Sequence, residues 1–82
     1  MVNLVPKDKF VVHPGSCSFG SDCFPSICVE YPDAAGELQR NYRIVSDRGT
    51  YRTLDDAYAA SKAIEVASVT DGGVITLVPP RA

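Results

Sequence analysis

The sequence predicts a small α+β domain in the order β-β-β-α-β, with one helix packed on an antiparallel-type sheet. Three observations carry that prediction. Residues 27–31 and 38–46 place side chains alternately on two faces, the period of a strand. From Leu54 the apolar residues recur at helical spacing behind a threonine. Val74–Val78 is a β-rich run set off by Gly72-Gly73 before it and Pro79-Pro80 after it.

Lys9–His13, with Phe10-Val-Val at its centre, reads as a first strand closed by Pro14-Gly15. Residues 14–26 are dense in Pro, Gly and Ser and show no period, which predicts a long loop, a place where function often resides. In 27–31, Ile27, Val29 and Tyr31 share one face while Cys28 and Glu30 share the other. Pro32-Asp-Ala-Ala-Gly36 then supplies a hairpin connection.

The next run, 38–46, is the longest predicted strand and pairs antiparallel with the second. Leu38, Arg40, Tyr42 and Ile44 lie on one face; Gln39, Asn41, Arg43 and Val45 lie on the other. Asp47-Arg-Gly49 ends it. Thr53 is placed to cap a helix, and Asp55 and Asp56 suit its positive end. Leu54, Tyr58 and Ile64 are the expected anchors of an inward stripe that also holds Ala57 and Ser61, with Gly72-Gly73 as the stop. Residues 79–82 read as a tail, and 1–82 as a single domain.

Size and composition narrow the function. A chain of 82 residues has little volume to enclose a pocket, so surface binding is the economical expectation. Net charge is −2, with 10 acids against 8 bases, which exerts no long-range pull on nucleic acid or an anionic membrane. The N-terminal apolar run is short, interrupted by Pro6 and followed by charges, unlike a signal peptide. No stretch approaches the ~18 apolar residues of a membrane span. A cytoplasmic location follows as an expectation, and an odd number of cysteines, 3, fits reduced thiols there.

His13, Cys17, Cys23 and Cys28 are the only candidate zinc ligands grouped in sequence. Structural zinc sites pair ligands two to four residues apart on a tight knuckle, and no Cys-x-x-Cys occurs here. The competing reading, cysteines as small apolar residues, is preferred and no metal is expected. A Cys17–Cys23 bridge would close a short loop and stabilise little. A Cys–His nucleophile needs a base in place and a feature that lowers the thiol pKa, and no helix N-terminus follows any cysteine. Asp55-Asp56 are helix-end residues rather than a catalytic pair. The glycines match neither the dinucleotide nor the phosphate-loop pattern, so no cofactor and no enzyme are expected.

Charge is locally uneven. Arg40, Arg43, Arg48 and Arg52 are four of the 8 basic residues, and Tyr42 and Tyr51 lie among them. Arginine and tyrosine are the types that carry interface energy, so Arg43, Arg48, Arg52, Arg40 and Tyr51 are the candidate binding residues. The competing reading is a solvated strand whose arginines protect an edge from aggregation.

Tyr31-Pro-Asp-Ala-Ala-Gly36, with Thr53-Leu-Asp-Asp-Ala57 opening a helix downstream, resembles HicB-type antitoxins. The resemblance covers about a third of the chain and implies a shared β-β-β-α layout. It departs between the two motifs, where this chain inserts a long strand and an arginine-bearing turn, and no functional residue is carried over.

The expected function is that of a small non-enzymatic protein-binding or regulatory module, an inhibitor carried by a mobile element being one form it could take. The alternative is a nucleic-acid-binding domain using residues 40–52. A homo-oligomer is compatible with either; a membrane partner is not expected.

Overall fold

A computed structural model describes residues 3–79. Its elements are β1 (Val11–Phe19), β2 (Asp22–Pro32), β3 (Leu38–Ile44), a 3-10 turn at Ser46–Arg48, α1 (Leu54–Ser61), β4 (Val66–Val69) and β5 (Ile75–Leu77). The first three strands form an antiparallel sheet in the order β1-β2-β3, and β4-β5 form a separate two-stranded sheet. The α+β class with a single helix is as the sequence predicts.

Two elements differ from expectation. Residues 14–26 are not a long loop. They are the second half of β1, a tight turn and the first half of β2, paired from Pro14↔Ile27 to Phe19↔Asp22. Gly20-Ser21 closes that hairpin, with Gly20 at φ 61, the pattern of a II′ turn with glycine first. The prolines that suggested a loop are tolerated for positional reasons. Pro14 lies in an edge strand. Pro25 turns its carbonyl toward the Val45 N–H, at 2.9 Å, just past the last β2–β3 pair, Ser26↔Ile44, so its missing N–H falls at the end of that ladder rather than inside it.

The helix is also shorter than predicted, ending at Ser61 rather than at Gly72-Gly73. Beyond it the Ala63 and Ile64 N–H groups tighten onto Ala60 and Ser61 carbonyls, and Val66–Val69 becomes a strand. Thr53 caps the start as expected, its hydroxyl accepting from Asp56 N–H at 3.1 Å. Of the expected anchors Ile64 is buried in the core, just beyond the helix, while within the helix the buried residues are Ala57 and Ser61. Leu54 and Tyr58 are exposed. Small side chains one turn apart let the helix settle close against β1 and β2. Ser61 adds a polar tie, donating to the Tyr58 carbonyl at 2.6 Å and accepting from Gly15 N–H at 3.1 Å.

The core lies on one face of the three-stranded sheet. Ile27, Val29 and Tyr31 of β2 meet Val5, Val45, Ile64, Val69 and Ile75 there, with Phe10, Val12, Val66 and Leu77 packed around them. Val5 N–H donates to the Val69 carbonyl at 2.7 Å, which lays the N-terminal segment beside β4. The helix and the β4-β5 hairpin thus share the covering of one sheet face. Among the described residues, no element covers the other face.

Candidate functional site

The uncovered face is built in cross-strand rows. Val11, Glu30 and Arg40 make one row; His13, Cys28 and Tyr42 the next; then Gly15, Ser26 and Ile44; then Cys17 with Phe24; and finally Phe19 with Asp22. Leu38, opposite Pro32, lies beyond the first row. Several large apolar residues stand exposed there: Tyr42 at 73%, Leu38 at 66% and Phe19 at 60%, with Val11 and Ile44 also exposed. Phe19 and Phe24 stack edge to face with ring centres 6.1 Å apart.

Beside Tyr42 and Ile44 lies a hollow of about 530 Å³. Gly15, Cys17, Ser26 and Cys28 contribute to its lining beside Tyr42 and Ile44. The hollow exists because the centre of this face holds small side chains while its margins hold large ones. Gly15 keeps it so, since a Cβ there would sit 2.9 Å from the Ser26 hydroxyl oxygen.

One end of the face is polar and internally balanced. The Glu30 carboxylate meets the His13 imidazole at 2.7 Å, with Arg40 Nε 3.6 Å from its other oxygen. Next to this end, at the β2–β3 connection, Asp33 accepts from the Ala35 and Glu37 N–H groups and from the Gln39 amide, each at 2.9 Å. Those bonds, that from Gln39 foremost, hold the Asp33 carboxyl below its ordinary range.

The orientation of β3 is what leaves this face apolar. Its apolar residues Leu38, Tyr42 and Ile44 point away from the core, and its polar residues Gln39, Asn41 and Arg43 point to the covered side. There they have a structural task. Asn41 donates to the Gly73 carbonyl and Arg43 to the Ile75 carbonyl, each at 2.6 Å, and Arg48 donates to the Val78 carbonyl at 2.7 Å. Three side chains therefore satisfy the outer carbonyls of β5 and its flanks.

The candidate arginines are consequently dispersed. Arg43 and Arg48 share a cleft of about 390 Å³ along β5. Arg48 is largely enclosed, its side chain 16% exposed; its buried Nε has no hydrogen-bond partner among the described residues and lies 4.0 Å from the Asp47 carboxylate. Arg40 lies on the opposite face beside Glu30. Arg52 is exposed just before the helix. Tyr51 is half-buried and pairs through its backbone with Cys23. The structure brings together only Arg43 and Arg48 of this set.

The cysteines and histidine do not converge as a tetrahedral set. Cys23 is buried on the core face, whereas His13, Cys17 and Cys28 lie on the open one, and all three thiols are free. Among the described residues no group of three or more His, Cys, Asp or Glu is placed to hold a metal ion. Among them, too, no helix is long and apolar enough to cross a membrane.

Compared with known protein families, with curated proteins and with solved structures, the chain matches none. The likeness to HicB-type antitoxins gains no support there and supplies no residue to this site.

Sequence reasoning missed Phe19, Phe24 and Ile44 as site residues, and it noted Tyr42 only as a neighbour of the arginines. The signal was present in part: Gly20-Ser21 between Ser-Phe and Asp-Cys is a two-residue hairpin pattern that would have aligned Phe19, Cys17 and Phe24.

Proposed function

We propose that this chain is a non-enzymatic protein-binding module, and that its partner docks on the open face of β1, β2 and β3. One observation carries the reading: β3 is turned with Leu38, Tyr42 and Ile44 outward beside Arg40, and with Gln39, Asn41 and Arg43 toward the covered side. Several large apolar side chains left exposed on one sheet face, with polar residues among them, are the usual mark of a protein-interaction surface. A regulatory role fits a domain of this size.

Aromatic residues on an open sheet can also stack nucleic-acid bases, but such platforms surround the aromatics with cations. Here Arg40 is neutralised by Glu30, Asp22 occupies the far end, and the whole chain carries −2. The charge distribution therefore favours protein over nucleic acid.

A benzophenone amino acid placed at Tyr42, irradiated in the expressing cell, tests this directly. Protein adducts at position 42 and none with the same probe at Arg52 are the expected result. Adducts to nucleic acid, or none at position 42, would overturn it.

A further inference from the structure

Resting on the reading of the open face as a protein-docking surface, we infer that its occupant is a second copy of this chain. The two three-stranded sheets pack face to face, each Tyr42 seated in the hollow of the other copy.

Shape is the first argument. Tyr42 is the most exposed of the large apolar residues on this face, and the hollow lined by Gly15, Ser26 and Cys28 lies directly beside it. A projection and a recess side by side on one surface are what a two-fold interface requires, because each copy must supply both. Open sheets pack with side chains of the two faces interdigitating across about 10 Å, and a row of small residues facing a row of large ones fits that spacing.

Area is the second. Tyr42, Phe19, Ile44, Leu38 and Val11 together present on the order of 500 Å² of largely apolar surface, spread along the face on both sides of Glu30 and Arg40. With Arg40, His13 and the half-buried cysteines the face reaches roughly 800 Å², the share one partner gives to a standard interface.

Charge is the third. The ionic residues at one end of the face, His13, Glu30 and Arg40, compensate one another within each copy. Two copies can therefore meet at that end without net repulsion, Asp22 at the far end being a further acid on the face. A strongly charged partner would find no complementary field.

Sedimentation equilibrium of the intact chain under reducing conditions, up to about 1 mM, provides the test, alongside Tyr42→Asp and Cys28→Arg. A reversible dimer is expected, and each substitution should weaken it at least tenfold. Tyr42→Asp changes an exposed residue, so its folding can be confirmed by an unchanged circular dichroism spectrum, and it serves alone if Cys28→Arg fails to fold. A wild-type chain that stays monomeric over the whole range, or a dimer unaffected by Tyr42→Asp, overturns self-pairing. The broader reading fails separately. A monomeric chain whose position-42 probe captures a different protein loses only the second copy, whereas a probe that captures no protein removes the docking face itself.

Discussion

The Arg43 guanidinium donates to the Ile75 carbonyl at 2.6 Å, and this contact binds the two sheets of the molecule to each other. Asn41 makes the equivalent bond to Gly73, two residues earlier on both strands, so β5 runs alongside β3 without joining its ladder. A charged side chain occupies a place where a sheet would ordinarily put a backbone N–H.

Arg43→Glu should therefore lower stability by about 2 kcal/mol, because it removes a charge-assisted donor and leaves a carbonyl unpaired. Arg52→Glu, at an exposed position, should change it by less than about 0.5 kcal/mol. Urea midpoints of the two variants measured side by side check the contrast. Equal midpoints would mean that Arg43 does not hold β5.

Gly73 combines a φ of 90 with a position where a Cβ would run into the Tyr31 hydroxyl. Gly73→Ala should cost about 2–4 kcal/mol. Removing that hydroxyl with Tyr31→Phe should recover part of the loss, which a double-mutant cycle on thermal or urea unfolding would register as a coupling energy.

At the helix start, Thr53→Ala should lower stability by about 1 kcal/mol, while Thr53→Ser, which keeps the hydroxyl, should be close to neutral. The urea midpoint is the readout. No shift in Thr53→Ala would mean that the cap bond adds nothing to stability.

Asp33 gives a pH dependence of known sign. Its carboxyl is held below the ordinary range when folded, so the stabilisation is present above the unfolded-state pKa and is lost as pH falls through the folded one. The Ala35 and Glu37 amides should exchange faster, relative to the intrinsic rate, once the pH falls below that folded value, and Asp33→Asn should flatten the change. Amide exchange followed by NMR across the acid range decides it.

The thiols should divide by face. Cys17 and Cys28, half-buried on the open face, should react with a thiol reagent before the buried Cys23, and all three should react after denaturation. Time-resolved mass spectrometry of the modified protein would show the order. Early modification of Cys23 would contradict its burial.

Much of this fold is legible residue by residue. The alternation at Ile27, Val29 and Tyr31 and the threonine before Leu54 identify β2 and α1 because each depends only on neighbours in sequence. Residues 14–26 misled because Pro14, Gly15 and Pro25 are loop formers anywhere except at an edge strand or past the end of a ladder, and those positions depend on topology. β4 was hidden because Ile64 continues the helical spacing of Ala57 and Ser61 after the helix has stopped. The two faces of β3 were correctly divided from sequence, but nothing local says which face is covered. The carbonyls of β5 need donors, and that tertiary demand turns Asn41 and Arg43 inward and Tyr42 outward.

That arrangement has a consequence for the chain as it is made. Synthesis proceeds from the N-terminus, so β1, β2 and β3 can leave the ribosome and pair as two local hairpins before residues 66–77 have emerged from it. For that interval the nascent sheet has neither its helix nor its second hairpin. Gln39, Asn41 and Arg43 then serve as a hydrated surface along one edge of the future core, shielding β3 on that side from premature sticking. Two of these side chains, Asn41 and Arg43, later bond the carbonyls of Gly73 and Ile75.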